Sequence, residues 1–587
     1  MSRKSLLRTP SQSKSVRFGG NVKNILHEFN EGFKENYQLL LNQLKDPTLK
    51  SSQILEWLKE CIACIHLMDR SHAEIVNVLL KVRWMERESE VVSKFSSFLV
   101  TLITTNPVHL RAVIKSLTSS FVLDLSRSSD TSFPQKNEKL VFSTLHHVLK
   151  TLFTLIPQSK STAELIFGES FPYMRKPITS LKSYTQNILH VTNYQPDLRP
   201  RVLELILRNL IDLDVHSPRQ EILEQEEVDD HEDDENEQVF QMDEDFKEKA
   251  NACSEMKHPL ANRLDTLMHM LLQYIYDTCY DGGELQVENA RKLFREIIYL
   301  FDDIILPIHL LVHVQYIVFY ICSFKQSFHE SFIEHCWKKV TNVNNPSILR
   351  QSAVCYIASL LARANYVSLS AVKACIDTMT TWAHRYLNEC TDILSCTSYC
   401  CDITRHGTFY SVCQAIFYII VFRHKQILQS KLGYHYLQSL NLQHLIVSPL
   451  NPLKACLSSV VSIFSSTMRQ HQIVYCDTIV ERNNRQMLPI VGVPSISTNN
   501  PLESFFPFDP CLLKRSISFI QPHYKEWDGR SPESQPQDAE GLKDDEFLEE
   551  IEMSLHDSES FPFGSLPKQI TPSPISSGFG LITPSPF

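Results

Sequence analysis

The sequence predicts an all-α protein, a HEAT-repeat-like helical solenoid with polar appendages. Only 14 of its 587 residues are glycine. Average usage is about 7%, and long helices joined by short polar turns need little glycine. Apolar residues recur at spacings of three and four along most of the chain, which is the period of an amphipathic helix. Strand signals are nearly absent, and the one Asp-Gly-Gly turn signal, at Asp281, lies between two helical patterns.

A first helical array is predicted over residues 21–220. Its first helix runs from Val22 to Leu44 and ends before Pro47, because proline cannot continue a helix. The same periodicity predicts further helices at residues 54–67, 91–104, 108–125, 139–155, 178–191 and 199–213. Their pairs recur at roughly 40 residues, as in HEAT or armadillo arrays, so each pair would bury its apolar stripe against its neighbours.

An acidic segment interrupts the helical pattern. Residues 221–245 hold 14 acidic and no basic residues, which is the composition of a disordered loop. We therefore expect residues 221–257 to separate the first array from a second array at residues 258–524. Its predicted helices are residues 263–279, 288–306, 307–324, 328–340, 346–362, 369–387, 409–426 and 451–466.

Both ends of the chain are predicted to be disordered. Residues 1–20 are basic, whereas residues 525–587 hold 13 acidic and 4 basic residues among Ser-Pro and Thr-Pro pairs. Because the whole chain carries −10, the part outside residues 221–245 and this tail carries +13. A basic body favours acidic partner surfaces. No helix shows a dense Arg and Lys face, so we expect little or no direct nucleic-acid binding.

One apolar run approaches the length that spans a bilayer. Residues 304–324 are 21 residues without Lys, Arg, Asp or Glu. The run also contains Pro307, His313 and Gln315, and two aspartates precede it. A buried solenoid helix is therefore the favoured interpretation, and no membrane partner is expected.

The sequence patterns of catalysis and cofactor binding do not occur. There is no GxGxxG, Walker A, HExxH or GxSxG pattern, so the sequence predicts neither an enzyme nor a cofactor. Cys61 and Cys64 have the spacing of half a zinc site, but they lie in a periodic helix, which favours core packing. The cysteines from Cys390 to Cys401, together with His406, match no zinc-finger spacing, so no metal site is expected.

Residues 481–485, Glu-Arg-Asn-Asn-Arg, leave two interpretations open. They form a charged helix end, whose asparagines would cap backbone groups in a solvated turn. The alternative is a contact with a partner protein.

Six strings resemble one protein family. They are KSVRFGG at Lys14, HVQYIVFYICSFK at His313, GTFYSVCQAIFYIIVFRHKQ at Gly407, LNPLKACL at Leu450, IVERNNRQMLP at Ile479 and NPLESFFPFDPCLLKRS at Asn500. In order and spacing they are similar to the RNA polymerase I-specific transcription initiation factor family, known as TIF-IA. The resemblance covers almost the whole chain, and strings of this length are far more specific than a short catalytic motif.

The resemblance implies a HEAT-repeat fold without catalytic activity, located in the nucleus and nucleolus. It also implies binding to RNA polymerase I, recruitment of that polymerase to promoter-bound core factor, and control by protein kinases. The family's polymerase-binding surface includes a serine-rich patch, and the serines in the matching region are Ser93, Ser96, Ser97, Ser116, Ser119 and Ser120. Ser119 is the most secure match. A HEAT-type nuclear transport or scaffold protein is the alternative function.

Serines and threonines that precede proline are candidate regulatory sites, because proline-directed kinases act on exposed, extended backbone. They are Thr9, Ser217, Thr571, Ser573, Thr583 and Ser585, and Ser585 resembles a family phosphorylation position. Lys14, Val16 and Phe18 fit the basic-x-Val-x-Phe pattern by which extended peptides bind protein phosphatase 1. The alternative is that Val16 and Phe18 pack on the first helix.

Overall fold

The computed structural model describes residues 21–45, 50–82, 84–85, 87–122, 137–227, 255–308, 311–394, 402–487, 502 and 506–527. The helices of the N-terminal half are α1 (Val22–Asn30), α2 (Glu35–Leu44), α3 (Ser51–Ala63), α4 (Ala73–Leu80), α5 (Ser89–Thr105), α6 (Leu110–Ser119), α7 (Asn137–Leu155), α8 (Gln158–Glu169), α9 (Ile178–Tyr194), α10 (Arg199–Val215) and α11 (Arg219–Glu227). Those of the C-terminal half are α12 (Pro259–Cys279), α13 (Val287–Leu300), α14 (Tyr316–Ser323), α15 (Gln326–Thr341), α16 (Ser347–Arg363), α17 (Leu369–Leu394), α18 (Ile403–Leu428), α19 (Lys431–Ser439), α20 (Leu442–Ile446), α21 (Pro452–Ala455), α22 (Ser458–Gln470), α23 (Asp477–Met487) and α24 (Ile517–Ile520). A small antiparallel hairpin, β1 (Tyr280–Asp281) and β2 (Glu284–Leu285), turns at two glycines with positive φ.

The N-terminal half is a solenoid of two helical layers, which confirms the predicted fold class. In one layer α3, α5, α7 and α9 each contact the next, and in the other layer α2, α4, α6, α8 and α10 do so. The apolar stripe of each helix is buried; in α5 it includes Phe95, Phe98 and Leu102, all fully buried. The solvent side of α5 and α7 is left to small polar residues, and this side forms the candidate site described below.

Two helices, α16 and α18, form the centre of the C-terminal half. They pack on each other, and α15, α17 and α22 surround them. Every residue from Ser352 to Arg363 and from His406 to Arg423 is buried. A helix buried on all sides needs apolar residues all round, which explains why these stretches lack a polar face.

The two predicted arrays share one hydrophobic core, which extends from Val22 to Ile520. Polar contacts reinforce their junction. Arg199 of α10 donates to Glu296 of α13 through Nε and Nη2, at 2.6 and 2.9 Å. Asp214, also on α10, is buried and accepts three backbone N–H groups from the turn before α14. The junction is therefore a packed interface.

The last described segment, residues 506–527, crosses back over this junction. Gln315 donates to the carbonyl of Pro507 at 2.6 Å. Asp265 of α12 accepts the N–H and the hydroxyl of Ser516 at 2.9 and 2.7 Å. Near its end, the N–H of Lys525 donates to a carbonyl at the end of α16 at 2.7 Å. The segment thus fastens α12 to the turn before α14 and to α16.

Three predicted helices are interrupted in the structure. The helix predicted from Val22 to Leu44 is observed as two helices. The turn between α1 and α2 contains Gly32, whose φ is 101°. The helix predicted over residues 307–324 is wrong in its first part: a π-helical turn (Phe301–Ile305) follows α13, and α14 begins only at Tyr316. Pro307 cannot donate to a helix, and Asp214 binds the N–H groups of residues 312–314 instead. Residues 451–466 divide into α21 and α22.

Within the part of the chain that the structure describes, no single helix has the length and apolar composition needed to cross a membrane. One pair of helical segments, Ser89–Thr105 and Pro107–Ser119, meets the same criteria by length and composition but is bent by 115°.

The acidic segment begins with a helix. α11 extends to Glu227, so the first residues of the predicted loop are helical, and Glu221 in its first turn suits the positive end of the helix dipole. Ile222 packs against Met256 at the other end of the segment. Residues 228–254 lie outside the described residues, as do residues 1–20 and 528–587.

Candidate protein-interaction surface

A cleft of about 830 Å³ opens between α5 and α7 on the solvent side of their layer. Val92, Val100 and Val148 give it an apolar floor. Its walls are mainly small hydroxyl side chains, namely Ser89, Ser93, Ser96, Ser97, Thr101, Ser143, Thr144 and Thr151. Small hydroxyls occur here because the apolar stripes of both helices turn away toward the core.

Three residues of the predicted serine patch line this cleft. Ser93 and Ser97 are exposed, and Ser96 is half-buried. The Ser96 hydroxyl donates to the carbonyl of Val92 at 2.8 Å, within its own helix. A hydroxyl bonded in this way can be covered by a partner without leaving a buried, unpaired polar group. The cleft wall is therefore neutral and small.

Ser116 and Ser119 lie on α6, which belongs to the second layer, and Ser120 follows directly after it. Ser116 donates to the carbonyl of Leu80 at 3.0 Å and helps to hold α6 against α4. Ser119 is exposed at the last position of α6 and donates to the carbonyl of Lys115 at 2.7 Å. Ser120 is half-buried and bonds to the carbonyl of Ser116 at 3.0 Å. The predicted patch is therefore two groups of serines on two helices.

A second cleft, of about 790 Å³, lies between α7, α9 and α12. Ser143 of α7 lines both clefts, so they meet along this helix. We call the two clefts together the trough. Phe142, Met270 and Tyr274 give its second part an apolar lining.

A buried histidine network supports the floor of the second cleft. His146 Nε2 lies 3.0 Å from the side-chain oxygen of Asn187, and Nδ1 lies 3.0 Å from the hydroxyl of Tyr194. Burial is the main cause that lowers the pKa of His146 to about 4, and the nearby His190 lowers it further. His146 is therefore neutral at physiological pH, when its two nitrogens can serve as one donor and one acceptor.

The charged side chains that line the trough are mainly basic. Arg87 lies in the first cleft, and Lys139 and Lys182 lie in the second. Among the described lining residues, Asp277 is the one acidic side chain, and Gln273 donates to it at 2.8 Å. The trough therefore combines an apolar floor with a basic rim and suits a partner surface that is apolar and acidic.

The candidate phosphorylation residues differ in where they lie. Ser217 is completely buried in the turn after α10, and its hydroxyl bonds to none of the described residues. A kinase cannot reach it in this conformation, so the expected exposure of this residue is wrong. The other candidates, Thr9, Thr571, Ser573, Thr583 and Ser585, and the phosphatase-docking residues Lys14, Val16 and Phe18 lie outside the described residues.

Cys61 and Cys64 are buried free thiols, which confirms that they pack in the core. Burial raises the pKa of both thiols, that of Cys64 to about 11. Within the described ranges, no group of three or more His, Cys, Asp or Glu side chains could hold a metal ion. Cys396, Cys400 and Cys401 lie outside those ranges.

The charged run at residues 481–485 contains an interior contact. Asn483 is buried, and its side-chain amide exchanges two hydrogen bonds with that of Asn451, at 2.7 and 3.2 Å. The solvated-turn interpretation is therefore wrong for Asn483. Glu481 and Arg485 remain exposed and pair with each other at 3.1 Å.

Sequence reasoning missed the residues that α7 and α9 contribute to the trough. Leu140 is 64% exposed although it lies in an apolar helical pattern, and Lys139, His147 and Lys182 are exposed beside it along the clefts. A helical-wheel mismatch at Leu140 was the available signal, because an apolar residue outside the buried stripe often marks an interaction surface.

Comparison with known proteins identifies close relatives. A model of the family described as RNA polymerase I specific transcription initiation factor RRN3 matches residues 13–532. The RNA polymerase I-specific transcription initiation factor RRN3 of Mus musculus is 40% identical over 568 residues, which cover 91% of this chain and 86% of the mouse protein. The corresponding rrn3 factor of Schizosaccharomyces pombe is 25% identical over 538 residues, or 86% of this chain and 83% of that protein. A crystal structure of RNA polymerase I transcription initiation factor Rrn3 has the same fold, with a TM-score of 0.67 and 22% identity, over 86% of this chain and 97% of that chain.

Proposed function

The chain belongs to the family of RNA polymerase I-specific transcription initiation factors, and from that membership we propose that it binds RNA polymerase I through the trough and recruits it to promoter-bound core factor at ribosomal RNA genes. It acts in the nucleus and nucleolus by binding proteins rather than by catalysis. Protein kinases regulate this binding, and protein phosphatase 1 docks on the N-terminal segment through Val16 and Phe18.

The observation that carries the polymerase-binding surface is the serine-lined cleft between α5 and α7. Its exposed Ser93 and Ser97 stand above the apolar Val92 and Val100. Burying the valines favours association at about 25 cal/mol per Å². The hydroxyls of Ser96, Thr101 and Thr144 cost little to cover, because each donates to a carbonyl of its own helix and keeps that partner in the complex. This combination suits a surface that is exposed in the free factor and dry in the complex.

The same surface responds to phosphorylation. A phosphate adds about −1.5 to −2 charges, and burying such a charge against an acidic partner surface costs several kcal/mol. Even about 3 kcal/mol would weaken binding by more than about a hundredfold. Phosphate on the tail, at Thr583 or Ser585, remains in water and changes polymerase affinity far less. Body sites therefore control the contact itself, whereas tail sites act through recruited partners.

Recruitment needs a second surface on the same rigid body. The continuous core from α1 to α24 fixes the distance between any two surfaces of the solenoid. An adaptor that holds the polymerase on one face and core factor on another raises the effective concentration of each for the other.

The test is binding of purified RNA polymerase I to the full chain and its variants at matched salt. Ser97→Asp places a charge in the cleft and is expected to weaken binding by at least a hundredfold, whereas Ser97→Asn keeps the residue neutral and should stay within a few-fold of the parent. Ser119→Asp asks whether the contact extends to α6, and its expected effect is also a loss of binding.

Two controls make the result interpretable. Ser327→Asp adds the same charge at an exposed position of α15 that lines neither cleft, and Ser585→Asp adds it in the tail; both should bind like the parent. Helicity is measured for each variant. If Ser97→Asp and Ser119→Asp both bind like Ser327→Asp, the polymerase lies on another face. If only Ser119→Asp loses binding, the contact follows the second layer and the trough is free for another ligand.

A further inference from the structure

We propose that an acidic, apolar segment of the C-terminal tail, residues 544–555, docks intramolecularly in the trough. The docking is a property of the chain alone; only its consequence for the polymerase rests on the proposed function. The occupant is identified by its charge, by the spacing of its apolar residues and by where the tail leaves the body.

The charge of this segment complements that of the trough. Residues 544–555, DDEFLEEIEMSL, contain six acidic residues and no basic one. The trough offers Lys139 and Lys182 on exposed positions of α7 and α9, with Asp277 as its one acidic described lining residue. Opposite charges on two surfaces steer their encounter and disfavour competitors of the wrong sign. The basic N-terminal segment has the same sign as the trough and is disfavoured there.

The apolar residues of the segment are spaced for one helical face. Phe547, Leu548, Ile551 and Leu555 follow the i, i+1, i+4, i+8 pattern of an amphipathic stripe. As a helix, the twelve residues would be about 18 Å long. Helix-in-groove recognition uses this arrangement, in which apolar anchors enter a groove and charges remain at its rim. The exposed Leu140 at the trough is a matching surface for these anchors.

The tail begins close enough to reach the trough. The ring of Phe519, in the segment that crosses the body, lies 5.2 Å from the ring of His269, which lines the second cleft. The last described residue, Trp527, packs against Phe422 at a ring distance of 4.6 Å. Eight residues separate Trp527 from Phe519, so the two lie at most about 28 Å apart. From Trp527, the 16 residues 528–543 can extend over at most about 55 Å, and a chain of that length spans about 20–24 Å on average. The segment can therefore reach the cleft from the point where the tail leaves the body.

Tethering makes weak docking sufficient. A linker of 16 residues gives an effective concentration on the order of 1 mM. If the free segment binds with a Kd on the order of 0.1 mM, the tethered segment occupies the trough about nine-tenths of the time and lowers the affinity of a competing partner about tenfold. The tail would thus act as a reversible competitor for whatever binds the trough.

The experiment observes the trough directly by methyl NMR of the full chain. Phe547→Ser with Ile551→Ser removes two anchors, and Phe561→Ser with Phe563→Ser is the matched control in the same tail. We expect the methyl signals of Val100, Leu140 and Leu189 to move in the first variant and to stay in place in the control. Adding a synthetic peptide of residues 544–555 to the first variant should return the signals toward their parental positions.

Charge reversal tests the other side of the contact. Lys139→Glu with Lys182→Glu should weaken binding of the peptide at least tenfold, whereas Lys150→Glu, an exposed lysine of α7 that does not line the clefts, should not. Identical trough signals in the parent and the Phe547→Ser, Ile551→Ser variant overturn the proposal, and so does peptide binding that is indifferent to Lys139→Glu with Lys182→Glu.

Polymerase binding separates this inference from the proposed function. If both are right, the Phe547→Ser, Ile551→Ser variant binds RNA polymerase I about tenfold more tightly than the parent. If the trough signals move but polymerase affinity does not, tail docking stands and the polymerase contacts another surface. If polymerase binding depends on Ser97 but the trough signals never respond to the tail, the proposed function stands and tail docking is wrong.

Discussion

Replacing Asp214 with alanine should loosen the junction between the two halves of the solenoid. Asp214 is 1% exposed near the end of α10. Its Oδ2 accepts the backbone N–H groups of Val312, His313 and Val314 at 3.2, 2.9 and 3.1 Å, and its Oδ1 lies 2.9 Å from His313 Nδ1. One side chain thus holds a turn that is about one hundred residues away in sequence and belongs to no helix.

The size of the effect follows from the three backbone donors. A buried donor that loses its acceptor costs about 1–3 kcal/mol, so three of them set a range of about 3–9 kcal/mol. Water that enters the space left by the carboxylate recovers part of this loss, and we expect about 4 kcal/mol. Domains are stable by only about 5–15 kcal/mol, so the variant should still fold while its junction opens far more often.

Hydrogen exchange measures this opening at the three amides themselves. A loss of about 4 kcal/mol corresponds to roughly a thousandfold faster exchange of residues 312–314 through local opening. Asp212→Ala is the matched control, because Asp212 lies on the same helix and is exposed. Equal exchange of these amides in Asp214→Ala and Asp212→Ala, with equal midpoints in denaturant, would show that the carboxylate does not hold the turn.

Two further predictions concern stability and access. His146 has a pKa of about 4 in the folded state, whereas an unfolded histidine has a pKa of about 6.5. Between these two values the unfolded state binds a proton that the folded state does not. The free energy of unfolding therefore falls by about 3 kcal/mol in total as the pH falls from about 6.5 to 4. Denaturant titrations across this range should show a flatter profile for His146→Gln but an unchanged one for the exposed His147→Gln, and equal slopes for both variants would contradict the argument. Ser217→Asp should destabilise the protein by several kcal/mol, because it buries a carboxylate, whereas His216→Asp at the exposed neighbour should not. Mass spectrometry after treatment with a proline-directed kinase should find no phosphate on Ser217 of the folded chain. Phosphorylation of Ser217 as fast as in an unfolded peptide of the same sequence would show that burial does not protect this residue.

Helices set by local periodicity were predicted well. The helix predicted at residues 139–155 is observed as Asn137–Leu155, and the one at residues 178–191 as Ile178–Tyr194. The failures occur where a distant residue competes with the helix. The first part of the helix predicted over residues 307–324 is a turn instead, because Asp214 accepts the N–H groups of residues 312–314. Burial of Ser217 is equally invisible in sequence, since a Ser-Pro pair has the same local pattern in a loop and in the core.

The sequence by itself determined the fold class, the basic body with its acidic appendages, and membership of a family through six long strings. These follow from composition, local spacing and exact residue order, which need no knowledge of the contacts between helices. The tertiary structure alone decided that the predicted serine patch divides between α5 and α6, that both arrays share one core, and that α5, α7, α9 and α12 form a basic, apolar trough. Those properties depend on which helix faces which neighbour, and packing between residues far apart in the chain fixes that choice.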